Sequence, residues 1–245
     1  MAENKTPLST NNMLVVLLIA AAFGVGYLWN RVQTLEKGGT NTLGTNTQVA
    51  QDTTQPAQPT TPETMDVVKP DVNKDHWNGP KNAKIVMVEY GDFECPYCKQ
   101  FHPTPKKILE EYKDVAHVMR NFPLSFHPKA QDSAEAVECA ADQGGNTAYF
   151  KFGDAVFEAM PGLALTELGD LAAKNSLNKA KLQDCIDSNK YETKVKDQLA
   201  EGTKAGVRAT PTVVLYNMLN GKTKVIEGAL PYESVKQMLD AFIKG

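Results

Sequence analysis

The chain has 245 residues, 42% of them hydrophobic and 22% charged, with a formal net charge of −3. This balance is ordinary for a folded globular protein and excludes the broad basic field that holds nucleic acid. Four cysteines are too few for a disulfide-dense scaffold, so their chemistry has to be read from their positions.

Residues 13–29 (MLVVLLIAAAFGVGYLW) form an uncharged apolar run, at the short end of the roughly 17–25 residues that a spanning helix needs. Tyr27 and Trp29 close the run, where amphipathic rings favour a membrane interface. A cleaved signal peptide competes with an anchor, but it wants small residues at its cleavage site. This run ends instead in bulky Tyr27, Leu28 and Trp29. The expectation is a transmembrane anchor over 13–29, preceded by a cytoplasmic N-terminus over 1–12. Flanking charge does not orient it, since Lys5 precedes the run and Arg31 and Lys37 follow. Residues 30–69 are rich in Thr, Gln, Asn and Pro. They hold too little apolar surface to offset the entropy of ordering, and a low-complexity, disordered linker is expected. The folded domain is then expected over 70–245, with 22 Lys and Arg against 24 Asp and Glu.

Within that domain, residues 84–90 (KIVMVEY) are β-branched and apolar and predict a buried strand. A helix is expected from Pro96, a residue favoured in the first turn, with Pro103 and Pro105 interrupting it. Residues 115–122 predict a second strand. Helical spacing follows over 129–143, 148–160, 165–175, 179–189 and 191–205, with starts at Thr166 and Asn178. Residues 212–216 (TVVLY) predict a strand, and Asn220–Gly221 a hairpin turn into 224–227. A helix over 232–243 closes the chain. This order is α/β with a helical insertion over about 127–206.

Cys95 and Cys98 lie two residues apart, directly after a predicted strand and at a helix start. A thiolate there meets unsatisfied backbone N–H groups and the positive end of the helix dipole. Cys95 is therefore expected to have a depressed pKa and to act as nucleophile, with Cys98 one turn on to resolve a mixed disulfide. Half of a zinc site is the competing reading, with His102 as a third ligand. No second Cys-x-x-Cys exists, however, and Cys139 and Cys185 stand alone on predicted helices. Lys99, not His, follows Cys98, which excludes c-type haem attachment. The expectation is a redox dithiol with no cofactor and no metal. Glu89 shares a strand parity with Ile85 and Met87, and both faces of that strand look apolar. It is either a buried proton carrier or a surface residue.

The runs VEYGDFECPYC and RATPT, with the helical block between them, resemble the DsbA-like thiol–disulfide oxidoreductases of the thioredoxin superfamily. The resemblance implies a thioredoxin fold with an inserted helical domain. It implies that Pro211 is a cis proline facing the cysteine pair, so that Thr210 presents its backbone to an extended substrate. It also implies that Glu89 exchanges protons with the buried cysteine through water, and that Cys139 and Cys185 form a structural disulfide; two buried free thiols are the alternative. His102 stands where better-known members have Glu, and either tunes the Cys95 thiolate or is merely exposed on its helix. His127, in FPLSFHPKA, resembles a recurrent motif and is expected to begin a helix; neither His76 nor His117 joins a visible constellation.

The activity this implies is disulfide formation in reduced exported proteins, on the extracytoplasmic side of the membrane. The partner would be a membrane quinone-linked thiol oxidase, and the protein is expected to be monomeric. Pro96–Tyr97 and Thr210 also occur on the isomerase side of the superfamily, so the direction stays open between oxidase and reductase or isomerase. A non-catalytic envelope chaperone that kept the fold is the reading from another class.

Overall fold

The structure, a computed structural model, describes residues 63–245. The expected N-terminus over 1–12, the anchor over 13–29 and most of the linker lie outside the described residues. Among the described residues, no helix is long and apolar enough to cross a membrane.

Five strands form one sheet: β1 (His76–Asn78), β2 (Ile85–Gly91), β3 (Val115–Asn121), β4 (Thr212–Asn217) and β5 (Thr223–Glu227), in the order β1-β3-β2-β4-β5. β2 and β3 run parallel, and every other pairing is antiparallel. A parallel pair needs a crossover, here made by α1 (Pro96–Phe101) and α2 (Pro103–Glu111). The two helices part at His102, before Pro103, as the prolines led one to expect. β2 is buried along its whole length, which is why its sequence is a continuous apolar run. Val86, Val88 and Tyr90 face one side of the sheet, with Phe122 and Val207. Ile85 and Met87 face the other, against Phe101, Ile108 and two residues of α7 (Tyr232–Lys244), Val235 and Leu239.

Between β3 and β4 lies the helical insertion: α3 (Ala130–Ala159), α4 (Leu168–Lys174), α5 (Lys179–Asp187) and α6 (Glu192–Ala205). Helix α3 joins the two helices expected over 129–143 and 148–160, and bends between them at Gly144 and Gly145, the latter at φ 61°. Its first turn begins at Ala130, not at His127. Asn178 caps α5 as expected, its Oδ1 accepting from the Lys181 N–H at 3.0 Å. Thr166 does not start a helix. It lies in a 3-10 turn (Leu165–Glu167) whose geometry is held by the Glu167 carboxylate accepting from the Ala164 N–H at 2.9 Å. The insertion has its own core around Phe152, Phe157, Leu168 and Leu182, to which Phe93 is contributed by the segment before Cys95.

Packing begins before the expected boundary at Pro70. Met65 and Val67 are buried in the sheet's core, and the Val225 N–H donates to the Glu63 carbonyl at 3.0 Å. Two apolar residues in a polar stretch change its composition little, yet at alternate positions both can enter one core. β1 was not expected either; three residues are too few to show a period. Two buried ionic networks tie the insertion to β1, to the residue before it and to β3. Arg120 bonds Asp75, Glu201 and the Tyr90 hydroxyl. Glu138 accepts from His76 and Lys194 at 2.6 Å each and from Asn121 at 2.7 Å.

Candidate active site

Cys95 is the N-cap of α1, with extended backbone (φ −70°, ψ 122°) and Pro96 at the first helical position. An N-cap side chain normally accepts from the orphan N–H groups of the first turn; the Cys95 sulfur holds that position without a cap hydrogen bond. The thiol is brought down to about 5, chiefly by a hydrogen bond from the Cys98 thiol. Burial opposes this, and the Thr210 side chain and the backbone N–H groups of Cys98 and Tyr97 add to it. Cys98, one turn deeper and fully buried, goes the other way. Burial pushes its thiol well above the ordinary range, reinforced by its hydrogen bond to Cys95 and by the Glu89 charge, while the Asp92 N–H opposes. The two sulfurs are unbridged. They form an acidic nucleophile and a proton-retaining partner.

The loop before Cys95 is held by two carboxylates. Asp92 is buried, and its side chain accepts from the Glu94 N–H at 2.8 Å, the Leu124 N–H at 2.9 Å and His127 Nδ1 at 2.7 Å. The Asp92 main chain reaches both cysteines: its N–H donates to Cys98 Sγ at 3.4 Å, and its carbonyl accepts from the Cys95 N–H at 3.1 Å. Glu94 accepts from the Lys129 N–H at 2.5 Å, at the entry to α3. This gives His127 the role that its sequence motif left open: it orients the carboxylate that shapes the redox loop.

Glu89 is buried on β2. Its Oε2 accepts from His117 Nε2, on β3, at 2.9 Å. Gly91 makes room for Met119 beside this carboxylate, since a Cβ there would lie 2.7 Å from Met119 Cε and 3.4 Å from Glu89 Oε1. Opposite α1, the Thr210–Pro211 peptide bond is cis. Cys95 Sγ reaches the Thr210 carbonyl at 3.4 Å, and the Thr210 hydroxyl is buried with no hydrogen-bond partner. Pro211 is fixed in turn by its carbonyl, which accepts from the Gly228 N–H at 2.8 Å.

Cys95, Cys98, Glu89, Thr210 and Pro211 thus gather around the start of α1. His102 departs from expectation. Its Nε2 donates to Asp154 Oδ1 of α3 at 2.7 Å, and the groups that lower Cys95 are those named above. Cys139 and Cys185 are bridged, joining α3 to α5 with their Cα atoms 5.9 Å apart. Sequence reasoning missed Asp92 and His117. The signal for His117 was present: Glu89 and His117 are polar residues in otherwise apolar runs, and parallel pairing puts Met87 beside His117 and Glu89 beside Met119, all on one face.

A family model described as thioredoxin matches residues 71–241. The chain belongs to the thioredoxin family. The solved structures it resembles are DsbA-family thiol–disulfide oxidoreductases. DsbA2 of Pseudomonas aeruginosa is 29% identical, with a TM-score of 0.60 over 71% of this chain and 97% of that one. BdbD of Bacillus subtilis shares the fold at 23% identity and a TM-score of 0.62, over 75% of this chain and 100% of that one. Two curated relatives of this thioredoxin-family chain carry another name. The Na(+)/H(+) antiporter NhaA 1 of Salinispora arenicola is 32% identical over 150 residues, which is 60% of this chain and 22% of the antiporter. NhaA 3 of Salinispora tropica is 33% identical over the same shares. The chain therefore spans about a fifth of the length of these relatives.

Proposed function

We propose that this protein is a thiol–disulfide oxidoreductase that forms disulfides in exported proteins outside the cytoplasmic membrane, tethered there by residues 13–29. The observation that carries this reading is the split between the two sulfurs, with Cys95 lowered to about 5 and Cys98 held well above the ordinary range. A dithiol whose reduced form is stabilised as a thiolate is an oxidant. The Cys139–Cys185 bridge supports an oxidising compartment.

In the first step a substrate thiolate attacks Cys95 Sγ of the Cys95–Cys98 disulfide. The bond between the two protein sulfurs breaks, and Cys98 leaves as a thiolate that takes a proton from Glu89. A second substrate thiolate then attacks the substrate sulfur of the mixed disulfide. The new substrate disulfide departs and Cys95 is released as a thiolate. Two electrons pass from the substrate thiols to the protein; of their two protons, one ends on Cys98 and one in solvent. Thr210 and cis Pro211 offer a backbone edge against which an extended substrate segment pairs. A membrane quinone-linked thiol oxidase would remove the electrons.

The antiporter relatives share only part of their length with this chain, and their transport activity is not carried over. The Pro96–Tyr97 dipeptide and Thr210 favour a second reading, in which the same site runs as a reductase or isomerase. The test is oxidation of a reduced, unfolded protein by the oxidised enzyme. Cys95→Ser is expected to abolish it, and retained activity would remove the proposal. A reduction potential near the roughly −270 mV of thioredoxin would select the second reading.

A further inference from the structure

Cys98 has to gain or lose a proton each time the active-site disulfide breaks or forms, yet it is fully buried. Glu89, its nearest carboxylate neighbour by charge, is also buried, at 2% exposure. A carboxylate that has handed over its proton must recover one, and Glu89 itself is almost closed off from solvent. What it has is His117, with Nε2 at 2.9 Å and a side chain only 7% exposed.

His117 in turn lines a cavity of about 70 Å³ between the sheet and the insertion. One water needs roughly 10–15 Å³ of such space, so the cavity has room for a short chain of them. Its walls are apolar: Phe93, Met119, Phe150 and Phe157. Its rim is charged. His102, Lys106 and Asp154 also line it, with side chains 21%, 46% and 39% exposed, and Asp154 accepts from both His102 and Lys106 at 2.7 Å. The groups facing His117 are Glu89 from β2, Asn78, its register partner on β1, the Phe150 ring of α3 at 5.7 Å, and Tyr149, which lines the same cavity and whose buried hydroxyl has no partner. The sequence from interior to solvent is therefore Cys98, Glu89, His117, cavity, His102–Asp154.

We propose that His117 is the second carrier on this route, passing the proton between the Glu89 carboxylate and water in the cavity that opens at the His102–Asp154 pair. The proposal rests on Cys95 and Cys98 being a redox pair. The balance is one proton per half-reaction. When Cys98 leaves as a thiolate, Glu89 gives it a proton and regains one from His117, which is recharged from the cavity. When the Cys98 thiol attacks a mixed disulfide on Cys95, the same proton travels outward and no electrons move along the route. Imidazole suits both directions, because it has two ring nitrogens, one to take a proton and one to give it.

The test uses the full chain carrying a glutathione mixed disulfide on Cys95, prepared by reacting the oxidised protein with glutathione. The rate at which Cys98 resolves it is measured by rapid quenching at pH 7. Proton transfer by a positioned side chain is worth roughly 10²–10⁴-fold, so removing one carrier among several is expected to slow resolution by at least about tenfold. His117→Ala should show this loss, and free imidazole, entering the enlarged cavity, should restore the rate in proportion to its concentration. His117→Gln keeps a donor for Glu89 without a group that carries protons, and should be as slow as His117→Ala. Three results would overturn the proposal: a wild-type rate in His117→Ala, a wild-type rate in His117→Gln, or a slow His117→Ala that imidazole leaves unchanged. Reduction of the Cys95–Cys98 disulfide by excess glutathione is the separate control. Its failure in the wild-type protein would overturn the redox reading beneath, whatever the His117 variants do.

Discussion

The pH dependence of the reduction potential bears on the Cys95–Cys98 asymmetry. Reducing the disulfide takes up two electrons and, at a pH below both thiol pKa values, two protons. Between the two pKa values only Cys98 takes one. For a two-electron couple a tenfold change in equilibrium constant is about 30 mV, so the potential falls by about 59 mV per pH unit with two protons and about 30 mV with one. With Cys95 at about 5 and Cys98 well above 9.0, the steep slope should end near pH 5 and the shallow one should hold through neutrality. The sign follows from the thiolate. A folded-state pKa below that of the unfolded thiol stabilises the reduced fold, in full only above about pH 9, and this is lost as the pH falls through 5. At pH 7 it amounts to at most about 2.7 kcal/mol, reduced further by solvent screening because the site meets substrate at the surface. That is a rise in potential of up to about 60 mV over the same dithiol with unshifted thiols. The assay equilibrates the protein in redox buffers from pH 4 to 8 and measures the reduced fraction by alkylation and mass. A slope near 59 mV maintained through pH 7 would refute the reasoning, because Cys95 would then still be binding a proton.

Three structural predictions follow from the packing. Replacing both Cys139 and Cys185 by Ser should lower stability by up to about 4 kcal/mol by the chain-entropy relation, since the bridge spans 46 residues; urea unfolding reads the loss, and the Cys95 titration should not move. Gly202→Ala would place a Cβ 2.8 Å from the Tyr90 ring and 2.9 Å from Phe122, an overpacking expected to cost about 1–3 kcal/mol in the urea midpoint. Glu138→Ala would leave His76, Lys194 and Asn121 facing a buried gap; breaking such a network costs about 3–5 kcal/mol, and an unchanged midpoint would show that the network is already open to water.

The central sheet was legible because each of its long strands is a run of apolar residues bounded by turn formers, and the cysteine pair because its position after a strand and before a helix carries its own electrostatics. What escaped were features whose cause is distant in sequence. Asp92 owes its role to Leu124 and His127, more than thirty residues on. His117 is paired only because β2 and β3 run parallel in the register that sets Glu89 two positions beyond its partner Met87, on the same face. His102 was a candidate for tuning the thiolate because it stands four residues after Cys98, where better-known members have Glu. The break before Pro103 ends α1 there, and α3 offers Asp154 as a closer partner. Met65 and Val67 were assigned to the linker because composition averages over a window, whereas burial acts on single side chains.

The two-residue spacing between the cysteines accounts for their opposite behaviour. It is short enough for the sulfurs to bond, yet it spans almost one helical turn, so the two side chains stand at different depths. Cys95, at the cap, receives the N–H groups of Tyr97 and Cys98. Cys98 lies beyond those donors, where only the Asp92 N–H reaches it and the Glu89 charge disfavours its anion. The residues between them do not lie between the sulfurs and the interior, since Tyr97 is 62% exposed. The intervening dipeptide therefore acts mainly on whatever approaches Cys95, and the proton on Cys98 is governed from the opposite side, by Glu89 and His117. Substitutions at Tyr97 should change the choice of partner more than the proton traffic, and substitutions at His117 the reverse.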